Sequence, residues 1–409
     1  MRIRPSIVKQ LGRRTGLLPV AAALALVLAS CGGSSVSGGE GDGGGGGGEG
    51  GELEPVKVGL LVPLSGVYAA LGEDMKQGFQ LYLDENGGTL GGAEVELVEA
   101  DEGESPNTGV PAATRLVTQD QVDVVAGIVS SAVALGVKDL FVESKVPLVV
   151  ANAGANDVTA GGSPYIWRSS FTNGQVAAAL GAYVAEQVGD GSVYLISADY
   201  AAGAESTGGF KETFEAAGGT IAGEAFTPFG TTTDWQPYLQ GIRASGASAV
   251  YTFYAGAEAV GFTTQYNQFG LKGEIPLYAA GFLTEGGVLE ASGEAAVGIQ
   301  NSLHYSDKIE SEANTAFVEA YQAAYDEVPT TYAVQAYDAA AAIALAIEAA
   351  GATDGESIAE GLGQVEEIDS PRGTFSFDEN HDPVQPYYLR EVQDVDGTLA
   401  NVVLQELEQ

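Results

Sequence analysis

The strongest constraint on this chain's fold is a rhythm. From Val56 onward, short apolar runs alternate with segments that carry apolar residues at helical spacing. "VKVGLLVP" is almost continuously apolar, as expected of a strand covered on both faces. "LGEDMKQGFQLYLDENGG" then places Met75, Phe79, Tyr82 and Leu83 on one helical stripe and closes on Gly87-Gly88. "AEVELVEA" reads as a strand, and "VPAATRLVTQ" as a helix with Pro111 in its first turn. "VDVVAG", "SAVALGVKDLFVESK" and "VPLVVAN" continue the order. A second series follows: a helix from Gln175, "SVYLISA", a helix from Gly203, "TIAGEAF", a helix from Asp234, "ASAVYTFY", a helix from Ala257 and "IPLYAAG". Strands alternating with helices make βαβ units and parallel sheets. Two series predict an α/β protein of two doubly wound lobes. The end breaks the pattern. "EANTAFVEAYQAAYDE" and "YAVQAYDAAAAIALAIEAAG" are two long helices, and "GTFSFDENHDPVQPYYLREV" with "TLANVVLQEL" reads as a strand pair. The chain is therefore expected to cross between lobes more than once. "DVDG" from Asp394 lacks the other ligands of a calcium loop and reads as a hairpin turn.

The first residues follow a different grammar. Arg2, Arg4, Lys9, Arg13 and Arg14 precede "GLLPVAAALALVLAS", an apolar stretch too short to span a bilayer. This is the pattern of a secretion signal. Arg13-Arg14 also fits twin-arginine export, but an ordinary basic region suffices. Leu28, Ala29 and Ser30 before Cys31 resemble the lipobox of bacterial lipoproteins, which implies that Cys31 carries lipid and becomes the mature N-terminus. Cys31 is the only cysteine, so no disulfide can form within the chain. The expected division is a signal over 1–30 and a Gly-rich tether over 31–54. Such a coil reaches about 25 Å at roughly 5–6 Å × √n. Another apolar segment, "TYAVQAYDAAAAIALAIEAA" from Thr331, contains Asp338 and Glu348 and reads as a soluble amphipathic helix.

Charge excludes one partner class. Loss of residues 1–30, with five basic residues and no acid, shifts the formal net charge from −38 to −43. Such a field repels nucleic acid and anionic headgroups. No nucleic-acid partner is expected, and the acidity reads as a solvated surface.

In doubly wound sheets, solutes bind beyond the carboxyl ends of strands, where helix N-termini face them. Two junctions fit: "PLSGVYAALG" and "GIVSSAVALG". Both offer serine hydroxyls and backbone N–H groups with little bulk, a setting suited to a carboxylate. A serine at such a place also serves simply as a helix N-cap, so both readings stand.

The ordered landmarks go further. "VGLLVPLSGVYAALGEDMKQGFQLYLDENGG", "VVAGIVSSAVALGV", "VPLVVANAGAND", "YIWRSSFTNGQVAAALGAYV", "ISADYAAG", "TDWQPYLQGIRASGASAVYTFYAGAEAVGFTTQYNQFGLKG", "GEAAVGI" and "RGTFSFDENHDPVQPYYLREV" resemble, in order and spacing, the leucine/isoleucine/valine-binding family of ABC-transporter solute receptors. The resemblance covers about residues 55–395. It implies a type I periplasmic binding fold with a three-strand hinge, here near Ser169–Thr172, Ser302–Tyr305 and Phe377–Pro386. Lobe one would be 55–171 plus 304–378, and lobe two 172–303 plus 379–409. It also implies site residues. Ser131 matches the serine that holds the ligand carboxylate. Ala153 and Gly154 match its backbone support, and Tyr200 a tyrosine that closes from lobe two. Tyr254 and Gly256 fall in the next cleft loop, Phe282 follows the "IPLYAAG" strand, and Ser65 and Tyr68 sit in the first loop.

There is one departure. Gly281 stands where amino acid-binding members place the acid that pairs with the ligand ammonium, and Leu71 where an aromatic ring is common. An unpaired ammonium in a closed cleft is costly. A carboxylate or amide without an α-amino group is one reading, and an amino acid held by Glu285 or Glu258 is the other. The resemblance implies a monomeric, extracytoplasmic, lipid-anchored receptor. It would have no cofactor and no metal, close about its hinge on a small solute, and serve a membrane permease of an ABC importer. A receptor of the same fold that signals to a membrane partner is the alternative, and genomic neighbours would separate the two. An enzyme is not expected: His304 and His381 stand in a crossover and an acidic turn, and no catalytic signature occurs in the globule.

Overall fold

The computed structural model describes residues 53–408; the expected signal, Cys31 and the expected tether up to residue 52 lie outside the described residues. The chain opens with β1 (Val56–Val62), α1 (Ala69–Glu85), β2 (Thr89–Leu90), β3 (Ala93–Asp101), α2 (Pro106–Arg115), β4 (Val124–Gly127), α3 (Ser131–Ser144), β5 (Leu148–Val150) and β6 (Ile166–Arg168). These strands form one sheet in the order β2-β3-β1-β4-β5-β6, parallel except for the β2–β3 edge. Next come α4 (Asn173–Val188), β7 (Ser192–Asp199), α5 (Ala201–Ala216), β8 (Thr220–Pro228), α6 (Gln236–Ser245), β9 (Ala249–Phe253), α7 (Gly256–Gln268), β10 (Leu277–Ala280), α8 (Gly287–Ser292) and β11 (Gln300–Leu303). The helices α9 (Glu312–Tyr325), α10 (Thr331–Ala350) and α11 (Gly355–Leu362) follow. The short β12 (Ser376–Phe377) pairs with β13 (Pro383–Val384), and β14 (Tyr387–Val395) and β15 (Thr398–Leu407) end the chain.

The second sheet runs β15-β14-β11-β10-β9-β7-β8. Its five strands from β7 to β11 are parallel, and β14–β15 add an antiparallel edge. In each sheet the first parallel strand lies inside the second, and the later ones build outward on its other side. This is the doubly wound order, with a switch point beside the first strand. Their strands are apolar because helices cover both faces: every residue of β4 and of β9 is buried.

The chain changes sheets three times. After Arg168 it passes to α4, which packs on β10 and β11 of the second sheet. After β11 it returns, and α10 packs along α1, β2 and β4. After α11 it crosses again to β14. Three fully buried arginines sit at these passages. Arg168 pairs with Asp382 at 2.8 Å, Arg372 with Asp338 at 3.0 Å and Arg390 with Glu285 at 3.1 Å. Arg372 also donates to the carbonyls of Ser169 and Ser170, and Arg390 to that of Tyr305, which ties one crossing strand to the next.

Local differences from the sequence reading have plain causes. The α2 helix starts at Pro106 with Ser105 before it, so Pro111 stands in its interior and not in its first turn. The strand β6 is only three residues long and ends on the buried Arg168. A charge in so short a run reads as surface until its partners are known. The "DVDG" turn joins β14 to β15. Asp396 and Gly397 both have positive φ, 54° and 90°, and the Asp394 carboxylate accepts from the Gly397 N–H.

Candidate functional site

A cavity of about 320 Å³ lies at the carboxyl ends of both sheets. From the first sheet it takes Tyr68 and Leu71 after β1, Val129 to Ala132 after β4, and Asn152 and Gly154 after β5. From the second it takes Tyr200 after β7, Phe229 after β8, Ala255 after β9 and Phe282 after β10. Phe171 and Asn173 come from the first crossing, and Tyr332 from the start of α10.

The polar end is built by α3. Ser130 caps the helix, its hydroxyl accepting from the Val133 N–H. Ser131 is the first helical residue, and its Oγ accepts from the Ala155 N–H at 3.1 Å. Its own hydroxyl hydrogen is thereby left to donate to a bound group. Gly154 leaves room for its neighbours: a Cβ there would stand 2.4 Å from both Asn173 Oδ1 and the Phe171 ring, so one of those side chains would have to shift.

The rest of the wall is aromatic. Tyr200 stacks on Phe229, with centroids 4.2 Å apart and rings 15° from parallel. Phe282 tilts against Phe171 at 4.7 Å and meets Phe253 edge-on at 6.1 Å. Burial raises the Tyr200 phenol well above its usual range, helped by Tyr68, Glu258 and Tyr332. Burial likewise raises Tyr332, helped by Glu285, Asp74 and Tyr68, and raises Tyr68, helped by Glu258, Glu102 and Glu104. These phenols therefore stay protonated and can donate.

The structure places Ser131, Gly154, Tyr200, Tyr68 and Phe282 on this wall. It places four other expected residues elsewhere. Ala153 is buried behind the wall: its N–H donates to Ile128 and its carbonyl accepts from Arg168. Tyr254 belongs to the core of the second sheet, its hydroxyl 3.0 Å from that of Thr227 and its ring against Trp235 and Phe262. Its neighbour Phe253 faces the cavity, because successive residues of a strand point to opposite faces. Gly256 begins α7 with φ of 57°, beside the lining Ala255 and off the wall. Ser65 is an exposed turn residue whose hydroxyl donates to Asp101 at 2.6 Å.

The reading also passed over Phe171, Phe229, Tyr332 and Asn152. An exposed Phe229 in the Gly- and Thr-rich stretch "FGTTTD" was the one local signal. Tyr332 arrives from a segment remote in sequence.

Acids near the cavity are mostly engaged. A Cβ on Gly281 would lie 2.4 Å from Arg390 Nη2, so no acid fits there. Glu285 is buried, pairs with Arg390 and accepts from the Thr331 N–H. Glu258 accepts from the Gly230 N–H and is not on the wall. Glu104 reaches the wall from an exposed position against Gly66.

Residues 55–398 match a family model described as periplasmic binding protein. The Leu/Ile/Val-binding protein homolog 6 of Brucella melitensis is 35% identical over 361 residues, 86% of this chain and 92% of that one. A solute-binding protein of an ABC transporter from Rhodopseudomonas palustris HaA2, solved with p-hydroxybenzoic acid, is 36% identical with a TM-score of 0.81, covering 87% of this chain and 97% of that one. Another from R. palustris, solved with benzoate, is 35% identical with a TM-score of 0.78, covering 85% and 96%.

Proposed function

The chain belongs to the periplasmic binding protein family, and from that premise we propose that it captures a one-ring aromatic carboxylate for an ABC importer. As a member of that family it is a solute receptor working outside the cytoplasm, and not an enzyme. The observation that carries the choice of solute is the cavity wall. Seven aromatic rings surround a space near the lower bound of about 300–1,000 Å³ for small-molecule sites. Glu285 and Glu258, the two acids weighed as partners of an ammonium, are engaged elsewhere, and among the described residues Glu104 is the one acid that reaches the wall. The relatives solved with benzoate and p-hydroxybenzoic acid support the same class. In this reading the carboxylate accepts from Ser131 and neighbouring N–H groups at the start of α3. The ring lies between Tyr200, Phe282 and Tyr68, where face and edge contacts add about 0.5–1.5 kcal/mol each.

Lobe one (55–171 and 304–378) receives the solute first, and lobe two (172–303 and 379–409) closes over it about the three crossing strands. The Gly-rich tether and a lipid on Cys31 keep the monomer at the membrane beside its permease. Titration calorimetry of the full chain with benzoate, 4-hydroxybenzoate, leucine, isoleucine and valine tests the solute class. Binding of the aromatic acids with little or no binding of the amino acids is expected. Tight binding of leucine without binding of benzoate would overturn it. Mass spectrometry of the mature N-terminus tests the anchor, since Cys31→Ala should release the protein from membranes.

A further inference from the structure

We propose that Glu102 sets the charge balance of this cavity, so that an anionic solute at Ser131 is captured together with a proton on Glu102. The inference rests on the aromatic-carboxylate reading above and adds a residue that does not touch the solute.

Glu102 is the residue immediately after β3 and is fully buried. Both its oxygens lie 3.0 Å from the Val129 nitrogen, and Oε1 lies 2.9 Å from that of Ser130. Val129 and Ser130 line the cavity. The N–H groups that lead into α3 are the donors an incoming carboxylate would use, and two of them already hold a carboxylate that belongs to the protein. Among the described residues Glu102 makes no ion pair.

The groups that face it are all acidic or neutral. The residue before it, at the end of β3, is Asp101. Burial would raise that carboxyl, but the Ser65 hydroxyl and the N–H groups of Leu64 and Gly103 outweigh burial and hold it below the usual range. From the segment before α1 comes the Tyr68 phenol, whose own environment includes Glu102, Glu104 and, from α7, Glu258. From the α2 helix Gly109 stands against the Glu102 carbonyl. Val129 and Ser130 bring N–H groups alone. Burial pushes the Glu102 carboxyl up to about 8, against the pull of the Ser130 and Val129 N–H groups.

A second carboxylate at the same helix end is a like charge at short range, and two such groups do not both stay ionised. Below about pH 8 Glu102 is already protonated and the anion binds freely. Above it, each solute bound takes one proton from solvent onto Glu102. The protonated form is the one that binds, so affinity falls as pH rises through that value, by up to about tenfold per unit.

The test is the dissociation constant of benzoate for the full-length protein from about pH 5.5 to 9.5, with benzamide as an uncharged control. For the native protein it should stay flat to about pH 7 and weaken at least tenfold by about pH 9.5, while benzamide shows no trend. Glu102→Gln keeps an acceptor oxygen for the two N–H groups and should hold benzoate with a flat profile. Calorimetry of the native protein near pH 8.5, in two buffers of different ionisation enthalpy, should show fractional proton uptake, and this readout needs no variant to fold. A flat native profile, no proton uptake, or an unchanged profile in Glu102→Gln overturns the proposal alone. No binding of benzoate at any pH overturns the aromatic-acid reading, and this proposal with it.

Discussion

Gly281 has no side chain, and that bears on the kind of solute proposed for the cavity. An acid cannot stand there without displacing the buried Arg390 guanidinium, which already holds Glu285. The polar burden then falls on Ser131. Removing its hydroxyl should cost a charge-assisted hydrogen bond, about 1.5–3 kcal/mol. Ser131→Ala is therefore expected to weaken aromatic-acid binding by about ten- to a hundredfold in calorimetry, and an unchanged constant would remove the assignment. Glu102 gives a second prediction, on stability. Its carboxyl holds a proton more tightly in the folded chain, at about 8 against the usual 4.5. Its contribution is therefore most favourable at low pH and is lost as pH rises from about 4.5 to about 8. The slope is at most about 1.4 kcal/mol per pH unit. Urea denaturation across that window should show this slope, and Glu102→Gln should flatten it. Strand–helix junctions were legible in the sequence, which pointed to the loop that carries Ser131; Gly154 and Tyr200 were named through the family resemblance. Parity at the end of β9 was not legible. Its residues and the following Tyr254 are all buried, so no polar alternation shows which of Phe253 and Tyr254 faces the cavity.

Among elements, the helix pair α1–α10 is the most exacting. Gly78 lets the two backbones approach so closely that a Cβ would lie 2.0 Å from the Ala333 carbonyl oxygen. Gly78→Ala should separate the helices and destabilise the fold by about 1–3 kcal/mol, despite alanine's better helix propensity. The unfolding midpoint in urea measures this, and a rise in stability would refute the contact. The alternation of elements was readable because parallel strands buried on both faces leave continuous apolar runs. The helix α10 was readable too, since its alanines pack and its Asp338 finds Arg372. The short β6 was not, because its buried Arg168 looks like solvent-facing charge until Asp382 arrives from more than two hundred residues away.

For the whole molecule, the three arginine–carboxylate pairs tie together the segments at which the chain passes between the sheets. Breaking one pair leaves a buried charge unpaired. Asp338→Ala should cost about 3–5 kcal/mol in thermal unfolding, and the double change with Arg372→Met should recover most of it. Recovery near zero would mean that the arginine acts through the Ser169 and Ser170 carbonyls instead. Sequence alone suggested the number of passages but could not place these arginines, whose partners lie far along the chain. The strand order has a last consequence. The second sheet receives its edge from β14 and β15, which are separated along the chain from β11, the strand they pair beside, by the helices α9, α10 and α11. Without those two strands β11 is left as an open edge. A chain stopped at Gln385 should accordingly give no cooperative melting transition, whatever solute is added.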